Sequence, residues 1–378
     1  MGTTPSVSVI IPAYNAAAFV GRTLASLRDQ TFTDFEVIVV DDGSKDDTAE
    51  VVARCALDDV RVRLIRQPNG GVSAARNRAL SEARGRYIAN LDSDDMWRPQ
   101  FLERTVAALE AAGEGAAFAF ARSLWIDTED ELLPVAETAL PARVGYRELL
   151  LRNPVGNGSA MLMRADLVRD IGGYDGDLVR DFGQVEDWQL LLQLSWRGAV
   201  VPIDEPLVLY RIMPQSSSHA LERTARGALE VIRRCERDGP RLAKPDVWAA
   251  RSLTLMWLAR RAMGQGRRDL ALRFAAQAYL ANPLWLTLPE LREPALKAPL
   301  KLSGRLLRRG RDGGARAAGG QAGPEELHER LLGELVGEEA GHDAGGDRGG
   351  EGDGGRTNPE LFETADGGRN RQSMNQVD

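Results

Sequence analysis

Between Val7 and Ile126, short apolar runs alternate with segments of helical period, and this alternation restricts the fold more than any other feature of the chain. Val7 to Ile11 reads as a buried strand, Phe35 to Val40 as a second, Val62 to Ile65 as a third and Tyr87 to Leu91 as a fourth. Ala16 to Asp29, Asp47 to Ala56 and Ser73 to Ala83 carry helical spacing between them. Pro99 to Ala112 follows as a helix, with proline expected in the first turn, where its missing N–H breaks no helical bond. The rhythm βαβαβαβα predicts an α/β fold with a mostly parallel sheet covered on both faces. Ligands of such sheets bind beyond the carboxyl ends of the strands. Farther on, Ala116 to Ile126 predicts another strand, Gly158 to Arg164 is strand-like, Asp187 to Trp196 is helical, and Val200 to Tyr210 is extended around Pro202 and Pro206.

A chain of 378 residues, 43% of them hydrophobic, has room for two or three domains and at least one sizeable core. The expected division is an α/β domain over 1–220, an α-helical segment over 221–310 and a disordered tail over 311–378. Within the helical segment, Trp257 to Pro283 resembles one hairpin of the tetratricopeptide type, with Gly264-Gln265-Gly266 as its turn. One such unit is too short for a stable solenoid, so it is expected to pack on the first domain. The tail is dominated by Gly, Asp, Glu and Arg and cannot bury enough apolar surface to offset its ordering entropy.

A formal charge of −7 argues against a surface that binds nucleic acid. Cys55 and Cys235 lie in unrelated segments without CxxC spacing, which suggests neither a zinc site nor a disulfide framework. The chain reaches Val7 without a basic leader, and no run approaches about 18 uninterrupted apolar residues, so a cytoplasmic location is expected. Lys297, Lys301, Arg305, Arg308, Arg309 and Arg311 are interleaved with leucines. That pattern suits peripheral contact with an anionic membrane, or equally a helix packed on its own domain with a solvated basic face.

Asp92-Ser93-Asp94-Asp95 stands directly after the fourth strand, and carboxylates clustered there repel one another unless a cation or hydrogen-bond donors join them. Mg²⁺ and Mn²⁺ are commonly held by one or two carboxylates together with substrate phosphates, so a short acidic turn suffices as the protein's contribution. A solvated turn capping the next helix is the alternative. The other strand ends are also polar or aromatic: Pro12-Ala13-Tyr14-Asn15, Asp41-Asp42-Gly43-Ser44, and the run from Asn69-Gly70-Gly71 to Arg76-Asn77. Glu186-Asp187 begins the later helix, where the macrodipole and free N–H groups favour ionised carboxylates; capping is the other reading of the pair.

Taken together, these strings resemble the inverting family 2 glycosyltransferases of the GT-A fold, from Val7 through about His219. The resemblance implies a Rossmann-like GT-A domain over 1–220 that moves a sugar from a nucleotide-diphosphate donor, most often a uridine nucleotide, to a hydroxyl of a saccharide or lipid-linked saccharide acceptor. It further implies that Pro12 shapes the first turn beside Asn15, that Tyr14 stacks on the base, and that Asp41 accepts a hydrogen bond from it. Arg76 would hold base or phosphates, Asp92 would contact the ribose or the metal through water, and Asp94 would ligate Mn²⁺ or Mg²⁺. Asp187, paired with Glu186, would be the general base. Tyr210-Arg211 and Ser216-Ser217-Ser218-His219 resemble the family's closing loop, with Arg211 on the diphosphate. The family's usual His position is Met213 here, which leaves His219 as its replacement at the metal or as a surface residue. Trp188 and Trp196 read as core anchors rather than sugar platforms.

Other classes lack their parts. The first strand is followed by Pro-Ala-Tyr-Asn rather than G-x-G-x-x-G, and no G-x-x-x-x-G-K-[ST] occurs. Nor is there the glycine-rich basic loop that a nucleotidyltransferase needs for its triphosphate. A processive synthase that exports its own polymer is not expected without a membrane-spanning run. The remaining alternative is a non-catalytic binding or scaffold protein with a degenerate transferase domain, which the retention of Asp92, Asp94 and Asp187 argues against.

Overall fold

The computed structural model describes residues 4–134, 140–183, 185–213 and 221–282. His219, the Ser216 to Ser218 run, the basic stretch around Lys297 to Arg311 and the 311–378 tail lie outside the described residues.

The described residues form one sheet of eight strands: β1 (Val7–Ala13), β2 (Phe35–Asp41), β3 (Val62–Arg66), β4 (Tyr87–Asn90), β5 (Met96–Trp97), β6 (Ala116–Ile126), β7 (Met161–Arg164) and β8 (Ala199–Arg211). The spatial order is β3-β2-β1-β4-β7-β6-β8-β5. β3, β2, β1 and β4 run parallel, and β6 is parallel to β8. β7 enters antiparallel between β4 and β6, and β5 is antiparallel to β8. The expected mostly parallel sheet therefore carries an antiparallel insertion, and chain order reverses at β1, where β4 joins its other side.

All residues of β2 and nearly all of β1 are buried, as continuous apolar runs in a doubly covered sheet must be. The helices of the first half are α1 (Val20–Arg28), α2 (Thr48–Asp58), α3 (Val72–Glu82) and α4 (Phe101–Ala112). α1 starts later than the expected Ala16, because the Ala16 N–H is taken by Thr48 Oγ1 and the chain is still turning through Asn15 at φ 51°. Pro99 stands just before α4, and its carbonyl accepts the Thr31 N–H instead of opening the helix.

The second half adds α5 (Tyr146–Arg152), α6 (Ala165–Ile171), α7 (Gly176–Phe182) and α8 (Glu186–Ser195), with a single 3-10 turn, Gly158–Ala160, before β7. That turn occupies the start of the stretch read as strand-like. α9 (Leu221–Asp238), α10 (Lys244–Gly264) and α11 (Arg268–Ala281) follow. Val231, Ile232 and Cys235 of α9 and Val247 and Ala250 of α10 belong to the same buried core as the sheet. α10 and α11 make a helical hairpin that turns through Gln265-Gly266-Arg267, with Leu258, Ala262, Leu270, Phe274 and Ala278 in a second, smaller core. Among the described residues no helix is long and apolar enough to cross a membrane.

Candidate active site

The site is assembled from the carboxyl ends of β1, β2 and β4, the turn Gly158–Ala160 and the start of α8. Ala13 of β1 lies beside Asp41 of β2, which in turn lies beside Arg66 of β3. Tyr14 projects from this rim with 48% of its surface exposed, as an available aromatic face must. Asn15 Oδ1 accepts the Lys45 N–H, so the left-handed turn after Pro12 ties the β1 and β2 loops together.

Asp41 is buried. Its Oδ1 accepts the Ser44 N–H, whereas Oδ2 faces Arg66 Nε at 3.4 Å, outside hydrogen-bond geometry, and has no hydrogen-bond partner among the described residues. Neighbouring Asp42 is a loop organiser that the sequence analysis did not single out. Its two oxygens accept from Gln67 Nε2 and from the Gly70 and Gly71 N–H groups at 2.7 to 2.9 Å, which shapes the glycine turn leading into α3.

Arg76 is not a surface charge of α3. Its guanidinium is buried between two carboxylates, with Nη2 at 2.7 Å from Asp92 Oδ1 and Nη1 at 2.7 Å from Glu186 Oε1, and it lies over the Tyr174 ring. Burial lowers the pKa of such a group, but Asp92 and Glu186 more than offset it and drive it above the ordinary arginine range. Arg76, expected to hold base or phosphates, links the acidic turn after β4 to the first turn of α8.

Gly158 comes close to Arg76 and to the carboxylates of Asp92 and Asp187. A Cβ added there would lie 3.2 Å from Arg76 Nη2, 3.7 Å from Asp92 Oδ2 and 3.8 Å from Asp187 Oδ2. Asp92 thus uses Oδ1 on Arg76, and Asp187 uses Oδ1 on the Trp188 N–H at 2.6 Å. The Oδ2 atoms of both face the space over Gly158. The sequence carried no signal for Gly158, whose importance lies only in what approaches it.

Burial, then the Asp92 charge, pushes Asp94 up to about 6. Glu186 is raised to about 7, chiefly by burial, against the pull of Arg76, and its Oε2 has no hydrogen-bond partner among the described residues. Asp187 is raised by burial, with Arg76 opposing. Asp95 is fully buried beneath the turn and rises well above the carboxylate range, by burial and then by the charges of Asp94 and Asp92. A group of carboxyls in this state gains from a cation or from phosphate-bound metal. Among the described residues no three His, Cys, Asp or Glu side chains are grouped so as to hold a metal ion.

Arg211, expected on the diphosphate, has a buried side chain that bonds to the Asp94 and Asp127 carbonyls and to the Asp130 carboxylate. Trp188 is a core residue as expected, with Nε1 bonded to the Leu149 carbonyl, and Trp196 packs edge-on against Tyr146 at 5.8 Å. The run from Gly172 to Asp175 is structural. Asn77 exchanges two hydrogen bonds with Tyr174, Tyr174 Oη bonds to Asn90 Oδ1, and Asp175 caps α7 while pairing with Arg234 of α9 at 2.5 Å. A concavity behind α8, lined by Gln189, Trp196 and Arg234, contains none of Asp92, Asp94 or Asp187.

Residues 8–172 match the family described as Glycosyl transferase family 2. The putative teichuronic acid biosynthesis glycosyltransferase TuaG of Bacillus subtilis is 30% identical over 234 residues, covering 62% of this chain and 89% of that protein. A chondroitin synthase of Pasteurella multocida is 46% identical over 99 residues, which is 26% of this chain and only 10% of the synthase. Among solved structures, a mannosyltransferase from Pyrobaculum calidifontis in complex with GDP-Man and Mn²⁺ superposes with a TM-score of 0.54 at 18% identity, covering 89% of each chain. Staphylococcus aureus TarS in complex with UDP-GlcNAc gives 0.50 at 19% identity, over 75% of this chain and 92% of that one. The last two show that the fold is of the GT-A kind. The chain belongs to glycosyl transferase family 2.

Proposed function

We propose that this protein transfers a single sugar from a nucleotide-diphosphate donor to an acceptor hydroxyl, with inversion. The observation that carries the proposal is the pair Asp92 Oδ2 and Asp187 Oδ2, which accept no hydrogen bond among the described residues and both lie within 4 Å of where a Cβ on Gly158 would stand, while Arg76 links their two elements.

Tyr14 offers its exposed ring to the base, and Asp41, whose Oδ2 pairs with Arg66 but accepts no hydrogen bond among the described residues, is placed to accept an N–H of a uracil or guanine base; a uridine nucleotide is the donor proposed. Asp92 serves the donor's ribose or sugar. Asp94, with Asp92 beside it, is the residue to hold Mn²⁺ or Mg²⁺, an ion that supplies charge neutralisation for the departing diphosphate. Asp187 accepts the proton of the acceptor hydroxyl as that oxygen bonds to the anomeric carbon. The bond from that carbon to the diphosphate oxygen breaks on the opposite face, so configuration inverts. Glu186 holds Arg76 and through it the distance between base and donor turn.

TuaG, by its name, acts in teichuronic acid biosynthesis, and the acceptor proposed here is likewise a cell-surface saccharide or its lipid-linked precursor, met on the cytoplasmic side with peripheral contact at the membrane. The test is release of nucleoside diphosphate from a panel of UDP- and GDP-sugars in Mn²⁺. The wild type should turn over one donor class, and Asp94→Asn and Asp187→Asn should each lose at least about a hundredfold. Equal release by the Asp187→Asn protein would remove the base from this scheme.

A further inference from the structure

Arg211 is the last residue of β8, and four acceptors hold it. Its N–H donates to Asp95 Oδ1 at 2.8 Å, Nε to the Asp94 carbonyl at 2.8 Å, Nη1 to the Asp127 carbonyl and Nη2 to Asp130 Oδ1 at 2.5 Å. Asp95 Oδ2 in turn accepts from Ser159 Oγ at 2.6 Å, and that hydroxyl accepts the Asp92 N–H at 3.0 Å. Outside, Asp130 Oδ2 takes Arg22 Nη1 at 2.9 Å, and both guanidiniums lie over the Phe19 ring, at 4.8 Å for Arg211 and 5.2 Å for Arg22. Three stretches distant in sequence, the α1 entry, the turn after β6 and the end of β8, therefore close on the back of the acidic turn.

We propose that Arg211 is a positioning residue: it fixes the main chain of Asp94 so that the carboxylate already faces the divalent cation, and Asp130 is the anchor that keeps Arg211 in that place. The inference rests on the transferase reading. A turn with three carboxylates in four residues tends to splay, and a cation that had to gather it would bind with the ordering cost deducted. Holding the carbonyl of Asp94 and both oxygens of Asp95 from behind removes that motion before the ion arrives. Arginine suits the task because its planar fork reaches acceptors in several fixed directions at once, which a lysine ammonium does not. A direct contact with the diphosphate would require the same guanidinium to leave a fully buried set of bonds.

The experiment is calorimetric titration of Mn²⁺ into the full chain with saturating UDP, for the wild type, Asp130→Asn, Arg211→Lys and the double variant. Melting temperatures in chelator are measured in parallel. Asp130→Asn, at a half-buried surface position, should keep its melting temperature within about 2 °C of wild type. It should nonetheless weaken Mn²⁺ binding about tenfold, the scale of a lost outer-shell contact. Arg211→Lys should weaken it at least as much, and the double variant no more than Arg211→Lys, because one clasp is being broken twice. Wild-type Mn²⁺ binding in Asp130→Asn overturns the proposal. So does an Arg211→Lys defect that lies in UDP affinity at saturating Mn²⁺ and adds to that of Asp130→Asn, since that outcome returns Arg211 to the diphosphate. Absence of any Mn²⁺-dependent UDP binding by the wild type brings down the underlying transferase reading as well.

Discussion

Asp94 carries a charge that its surroundings disfavour until a ligand arrives. Its folded pKa, about 6, lies above the ordinary 3.8, so the folded state holds the proton more tightly than the unfolded chain. Stability should therefore fall as pH rises from about 4 to 6, and the deficit persists above that window. At pH 7.5 in chelator, Asp94→Asn should raise stability by on the order of 1 kcal/mol, read as a melting temperature a few degrees higher, while losing the stabilisation that Mn²⁺ with nucleotide gives the wild type. A lower melting temperature would mean that the carboxylate is structurally satisfied. Asp187 is shifted upward by burial, against the pull of Arg76, and a base must be ionised. The acid limb of its kcat profile should accordingly fall above the ordinary aspartate range of about 3.9 and vanish in Asp187→Asn. A limb at or below 3.9 would contradict the assignment.

At the scale of elements, α3 and α8 matter because one side chain joins them. Gly173, at φ 78°, lets the chain pass so close to α3 that an added Cβ would overlap Asn77 Oδ1, and Asn77 answers with two hydrogen bonds to Tyr174. Gly173→Ala should cost about 2–3 kcal/mol and lower the thermal midpoint accordingly, as strain and overlap combine. An unchanged midpoint would show that this contact does not fix α3. Strands β1 to β4, β6 and β8, and the residues at their ends, were legible from apolar runs because one face or both of each must be buried, whereas the two-residue β5 was too short to read. The antiparallel insertion of β7 was not, since four residues with no period of their own set its direction. Arg76 illustrates the limit for the site. Its position after the glycine turn marked it as functional, but its partners Asp92 and Glu186 come from remote segments, and a pairing decided by tertiary packing leaves no local trace. The inward turn of Arg211 was hidden for the same reason, with Asp130 lying far from it in sequence.

Across the whole molecule, the α/β core does not stop where the sheet's last strand ends. Val231 and Ile232 of α9 are fully buried within it, and Arg234 of α9 pairs with Asp175 beside α7. A chain ended at residue 220 should consequently expose apolar surface, bind hydrophobic dye and lose a cooperative thermal transition, whereas independent folding of 1–220 would leave the transition sharp. The proposal that the acidic turn and the start of α8 form one metal-dependent nucleotide site spans the molecule. It is tested most directly by a thermal-shift panel of uridine, guanosine, thymidine and cytidine diphosphates, each with Mn²⁺ or with chelator. A nucleotide near a hundred times its Kd should stabilise the native state by about 2.7 kcal/mol. The prediction is a shift with the uridine nucleotide that needs Mn²⁺ and disappears in Asp94→Asn; a folded sample that shows no metal-dependent shift with any of the four would contradict it.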